Sequence, residues 1–123
     1  MKKIYVLEDE SSIREVLEVF LTIEGYDVRC SGIVSEFYST YYKERTDLFM
    51  LDVRRPDGSG TEVCEILKKS LETKDIPVIM MSANTQLQDI RSNLGPEAFI
   101  ANPFDLEKVL QTISELTGRE SFG

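Results

Sequence analysis

Leu48-Phe49-Met50-Leu51-Asp52 is an unbroken run of four apolar residues closed by a carboxylate. A short run of this kind reads as a strand covered on both faces, the situation of an inner strand in a parallel sheet. Val78-Ile79-Met80-Met81 has the same character, and Ile4-Tyr5-Val6-Leu7 runs out at a second acidic end, Glu8-Asp9. Asp27-Val28-Arg29-Cys30 alternates polar with apolar, as an edge strand does, and Ala98-Phe99-Ile100-Ala101 supplies a fifth strand.

Helical patterns fill the spaces between. Ile13, Val16, Leu17, Phe20 and Leu21 recur at helical spacing, with Ser12 and Glu15 as a capping box and Gly25 as the stop. The second helix carries Val34, Phe37, Tyr38 and Tyr41, an aromatic stripe read as core. Ser59 and Glu62 cap a third that presents Val63, Ile66 and Leu67. Thr85 and Gln88 cap a fourth, running through Leu87, Ile90 and Leu94 to Gly95, and the last starts near Asp105 and shows Leu106, Val109, Leu110, Ile113 and Leu116. Five strands alternating with five helices predict an α/β, doubly wound five-stranded parallel sheet of order 2-1-3-4-5. Right-handed crossovers then place helices on both faces.

The 123 residues make one ordinary domain, expected to span 1–123 with a core over about 3–118. No apolar run approaches the roughly 20 residues of a membrane span, and Met1-Lys2-Lys3 leads into no secretory signal, so a cytoplasmic protein is expected. A net charge of −8 disfavours direct contact with nucleic acid or an anionic membrane; any DNA contact would need another polypeptide. Histidine is absent, which excludes Ser-His and Cys-His catalysis, His-containing metal sites and a phosphohistidine carrier. Cys30 and Cys64 lack CxxC spacing and read as two buried reduced thiols with no function.

In doubly wound sheets, sites form at the carboxyl ends of the strands, beside the switch point between strands 1 and 3. Glu8, Asp9 and Asp52 all fall there. Alone, each acid reads as easily as a helix cap or a solvated loop charge. Brought together, their repulsion is most simply relieved by a divalent cation, the setting of metal-assisted phosphate chemistry.

From Lys3 to about Leu116 the chain resembles the receiver domain of two-component response regulators, a flavodoxin-like (βα)5 fold. The resemblance rests on Glu8-Asp9-Glu10, on Asp52-Val53-Arg54-Arg55-Pro56-Asp57-Gly58-Ser59-Gly60, on Met81-Ser82-Ala83 and on Asn102-Pro103-Phe104, in that order and spacing. It implies that Asp52 is the phosphoacceptor, taking a phosphoryl group from a histidine kinase or phosphotransfer protein. Asp9 and Asp52 would ligate Mg²⁺ with the backbone carbonyl of Arg54, Glu8 would hold a metal-bound water, and Ser82 would hydrogen-bond a phosphoryl oxygen. It further implies a switch through Ser82 and Phe99 that repacks the face made by the fourth helix, fifth strand and fifth helix, and a cis Asn102-Pro103 bond. Pro56, Gly58 and Gly60 serve as turn residues and Asp105 as a helix cap.

One departure stands out. The family normally has lysine where this chain has Asn102, and an amide can donate a hydrogen bond but cannot neutralise an anion. Arg54 or Arg55 could replace that charge, or both could be solvent-facing loop charges. Two functions are therefore expected from the same fold: a phosphoacceptor switch feeding a downstream protein or fused output domain, or a pseudo-receiver that binds its partner independently of phosphorylation. Homodimerisation is left open. A phosphatase or flavin carrier on a similar sheet fits poorly, because Arg54 stands where such phosphatases place a second aspartate and no flavin-phosphate loop follows the first strand.

Overall fold

Asp47 fixes where the first and third strands meet. Its backbone N–H donates to the Lys3 carbonyl at 2.8 Å, and its carboxylate accepts from the Lys3 N–H at 2.8 Å. Glu97 does the same for the fourth and fifth strands: its N–H donates to Val78 O at 2.9 Å and its carboxylate accepts from Val78 N–H at 2.7 Å. Lys68 then holds the other Glu97 oxygen at 2.8 Å.

The computed structural model describes residues 2–41, 43, 45–52, 60–82, 96–101 and 105–118, with 61, 82 and 101 in backbone only. In chain order the elements are β1 (Lys3–Leu7), α1 (Ser11–Ile23), β2 (Asp27–Ser31), α2 (Val34–Thr40), β3 (Leu48–Asp52), α3 (Gly60–Lys69), β4 (Val78–Ser82), β5 (Ala98–Ala101) and α4 (Leu106–Thr117). The helix expected over 85–95 lies outside the described residues, so α4 is the fifth of the expected series. All strand pairs are parallel, in the order β2-β1-β3-β4-β5. This is the arrangement the alternating pattern predicts, with β2 at an edge.

Side-chain parity sorts the sheet into two cores. Ile4, Val6, Leu48, Met50, Ile79, Met81 and Ile100 point to one face and pack with Leu17 and Leu21 of α1 and Val109 and Ile113 of α4. Tyr5, Leu7, Phe49, Leu51, Val78 and Met80 point to the other, against Phe37 of α2 and Val63, Cys64 and Leu67 of α3. Strands buried on both sides need apolar residues at every position, which is why β1, β3 and β4 show no alternation. Of the predicted aromatic stripe only Phe37 is fully buried, edge-on to Tyr5 at 4.9 Å and stacked on Tyr41 at 5.4 Å, while Val34, Tyr38 and Tyr41 are half-buried against that core.

Four local expectations need correction. Ser12 and Glu15 form no capping box: α1 already starts at Ser11, its N-cap is Glu10 with no side-chain cap, and Ser12 Oγ donates to the Glu10 carboxylate at 3.3 Å. Val16 and Ile66 were expected in the core but are 49% and 47% exposed. Each precedes a buried leucine, Leu17 or Leu67, and one residue is about 100° of helix rotation, enough to leave a narrow buried face. Cys30 is only half-buried, while Cys64 is fully buried, and the two belong to opposite cores. Gly25 does stop α1, through paired bonds from Tyr26 N–H to Leu21 O and from Gly25 N–H to Thr22 O, with Gly25 at φ 94°. Asp105 caps α4 by accepting from Glu107 N–H at 2.9 Å.

Candidate metal centre

The site follows from strand register. Ile4 pairs with Leu48 and Leu7 with Leu51, so the next residue of β1's path, Glu8, comes level with Asp52. Both continue the parity of Val6 and Met50, and their side chains leave the sheet on the α1 side. Glu8 is 2% exposed, whereas Asp9 is exposed and Asp52 half-buried. One carboxylate oxygen from each of Glu8, Asp9 and Asp52 lies within 4.8 Å of the others.

Burial pushes the Glu8 carboxyl up from 4.5 to about 8, and a hydrogen bond to Asp52 together with the Asp52 charge pushes in the same direction. The Glu10 N–H, donating to Glu8 Oε2 at 3.3 Å, opposes the rise. A hydrogen bond between two carboxyl groups needs a proton, so at neutral pH one proton does for this cluster what a cation can do better. Mg²⁺ takes only one or two protein carboxylates directly and keeps several waters. A hard, all-oxygen donor set gathered within 4.8 Å therefore suits Mg²⁺ with water completing its shell.

The backbone around the cluster is anchored from β2. Glu8 N–H donates to Ser31 O at 3.0 Å, and Arg14 Nη1 donates to Glu8 O at 2.9 Å. Ser31 Oγ donates to the Glu36 carboxylate at 2.9 Å, holding the turn that follows β2. Arg14 falls outside the sequence-predicted site residues; its position within the first turn of the helix after the acidic pair is the signal that points to it.

Of the other expected site residues, Ser82 ends β4, one residue beyond the Asp52↔Met81 pair. Phe99 is half-buried on β5 and packs against the α2/α3 core. Arg54, Arg55, Asn102 and the Asn102-Pro103 bond lie outside the described residues, as do Ser59 and the turn residues Pro56 and Gly58. Burial raises both thiols, Cys30 to about 12 and Cys64 to about 11, which suits inert core groups. A cavity of about 780 Å³ opens at the opposite end of β3 between Tyr41, Thr46, Phe49, Thr73 and Ile76. Charge, not volume, marks the chemical end.

The family model for the response regulator receiver domain matches residues 4–114. The chain belongs to that family. It is a receiver domain of two-component response regulators, a phosphoacceptor signalling domain of CheY-like, flavodoxin-like fold. This receiver domain is 34% identical over 120 residues to the probable transcriptional regulator ycf27 of Porphyridium aerugineum, covering 96% of the chain and 49% of that protein. It is 32% identical over 123 residues to the DNA-binding dual master transcriptional regulator RpaA of Synechocystis sp., covering 97% and 50%. The receiver thus spans about half the length of these curated relatives. Among solved structures, the response regulator TrrA of Thermotoga maritima, in complex with Mg²⁺-BeF, superposes with a TM-score of 0.85 at 28% identity, covering 94% of this chain and 99% of that one. Among the described residues, no helix is long and apolar enough to cross a membrane.

Proposed function

We propose that Asp52 is the phosphoacceptor and that Glu8, Asp9 and Asp52 hold Mg²⁺, Glu8 through a bound water and the Arg54 backbone carbonyl as a further ligand. The observation that carries this is the meeting of three carboxylate oxygens within 4.8 Å at the carboxyl ends of β1 and β3. An Asp52 carboxylate oxygen attacks the phosphorus of a phosphohistidine on a histidine kinase or phosphotransfer protein. The O–P bond forms as the P–N bond breaks, and the electron pair leaves with the imidazole. Bound Mg²⁺ supplies charge neutralisation for the phosphoryl oxygens, the dominant need in phosphoryl transfer. Ser82, at the end of the neighbouring strand, donates to one of those oxygens, and Asn102 offers an amide where the family has lysine.

The whole chain, with its core over about 3–118, acts as one receiver and as a self-modifying switch rather than a turnover enzyme. Charge added at Asp52 biases packing at Ser82 and Phe99 and so the face that docks a downstream protein or a fused output domain. The names of RpaA and ycf27 as transcriptional regulators, and the unmatched half of each, support the fused arrangement. With a net charge of −8, DNA contact would fall to that other module. Val16, Val19 and Ile23 leave an exposed apolar stripe along α1, running away from its acidic end. A cytoplasmic setting goes with this chemistry.

Incubation with Mg²⁺ and a small phosphodonor such as acetyl phosphate, followed by intact-mass analysis, tests the reading. One phosphoryl adduct is expected in the wild type and none in Asp52→Asn or in EDTA. An absent wild-type adduct would leave the phosphorylation-independent interaction module as the function.

A further inference from the structure

The structure assigns Arg14 as the positioning residue of the acidic site: crossing Gly32, its guanidinium clamps the Glu8 carbonyl and sets the aim of the Glu8 and Asp9 carboxylates. This assignment rests on the metal reading above and deepens it. The Glu8 carbonyl belongs to the peptide plane joining Glu8 to Asp9. Because that plane is rigid, holding its oxygen sets the Glu8 ψ torsion and the direction in which Asp9 leaves the plane, and so restrains where two of the three converging carboxylates start. Arg14 Nη1 makes that bond at 2.9 Å, while Arg14 itself is rooted in the first turn of α1 by its N–H bond to Glu10 O at 3.0 Å. The Glu8 N–H is tied to Ser31 O at 3.0 Å, so both polar atoms of the Glu8 backbone are held, one by a strand and one by a side chain.

Gly32 makes the crossing possible. A Cβ at this position would stand 2.5 Å from Arg14 Nη1, 3.3 Å from Arg14 Cζ and 3.6 Å from Glu8 O. Any side chain there would press on the same hydrogen bond. The turn carrying Gly32 is itself pinned, by Ser31 Oγ to the Glu36 carboxylate at 2.9 Å and to Ile33 O at 3.2 Å. Two separated segments, one in α1 and one after β2, thus converge on a single carbonyl oxygen.

Charge and geometry predict opposite results, which makes the assignment testable. If Arg14 mattered only as a cation near a cation site, Arg14→Met would tighten Mg²⁺ binding and Gly32→Ala would do nothing. As a clamp, Arg14→Met weakens Mg²⁺ binding about tenfold, the low end of what outer-shell partners of metal ligands contribute. Gly32→Ala, with the guanidinium still present but displaced, weakens it in the same direction, and Arg14→Lys falls between wild type and Arg14→Met. Calorimetric titration of the full chain with Mg²⁺ reads these affinities. A second measurement needs no metal: in EDTA, the amides of Glu8 and Glu10 exchange with deuterium faster in Arg14→Met and Gly32→Ala than in the wild type, while amides of β3 do not. Affinity that is unchanged or tighter in Arg14→Met, or unaltered exchange at Glu8 and Glu10, overturns the clamp. A wild type that takes up no Mg²⁺ removes the metal reading instead, and the exchange rates still judge Arg14.

Discussion

Raising the pH in the absence of divalent cations should unload the proton held by Glu8 and destabilise the fold. The folded carboxyl titrates near 8 against an ordinary 4.5. Because the folded value is the higher one, the stabilisation it brings is complete below pH 4.5 and is lost as the pH rises through about 8. At about 1.4 kcal/mol per pH unit the loss by pH 7 is at most roughly 3 kcal/mol, and it belongs to Glu8 and Asp52 as a pair. For a domain of this size about 4 °C of melting temperature accompanies each kcal/mol, so roughly 12 °C is at stake by neutrality. Thermal unfolding followed by circular dichroism in EDTA, from about pH 5 to about pH 8.5, reads the slope. Glu8→Gln, neutral at every pH, should flatten it, and saturating Mg²⁺ should recover the wild-type loss by binding the ionised cluster in the folded state only. A wild-type curve as flat as that of Glu8→Gln, or a slope indifferent to Mg²⁺, refutes the reasoning.

Phe37→Ala removes a fully buried ring packed on Tyr5, Tyr41 and Phe49; urea unfolding should show a loss of about 3–5 kcal/mol. Asp105→Ala deletes the cap on Glu107 N–H and should cost about 1 kcal/mol in the same assay, with Asp105→Asn retaining most of it. With Cys30 raised to about 12 and Cys64 to about 11, alkylation of either thiol near neutral pH should run at least about a hundredfold slower in the native protein than in denaturant. Equal rates would contradict their burial.

Much of the site could be read before any coordinates because register is arithmetic. Once Ile4–Leu7 and Leu48–Leu51 are recognised as neighbouring parallel strands, the acids that end them must come level, and Glu8 does meet Asp52. The doubly wound order came from alternation alone. What escaped depends on a second element. Val16 and Ile66 look like core residues in their own helices, yet only packing against the sheet decides how wide a face is covered. Ser12 has the chemistry of a cap, but α1 starts at Ser11 with Glu10 as its N-cap, two residues too early for it. The part played by Arg14 requires Gly32, and nothing in the local sequence of α1 announces a glycine arriving from the end of β2.

The parity that divides β1, β3 and β4 between two cores turns the sheet into a partition. Leu17, Leu21, Val109 and Ile113 form one compartment with Ile4, Val6, Leu48 and Met50; Phe37, Val63 and Leu67 form another with Tyr5, Leu7, Phe49 and Leu51. Damage confined to either compartment should be felt independently of damage to the other, so paired lesions across the partition are additive and paired lesions within it are not. Asp52 continues the parity of the first compartment, whereas Phe99 packs in the second. On the function proposed above, with the phosphoryl group on Asp52 and Phe99 responding, the signal would have to pass through the backbone of the partition itself or around its carboxyl rim.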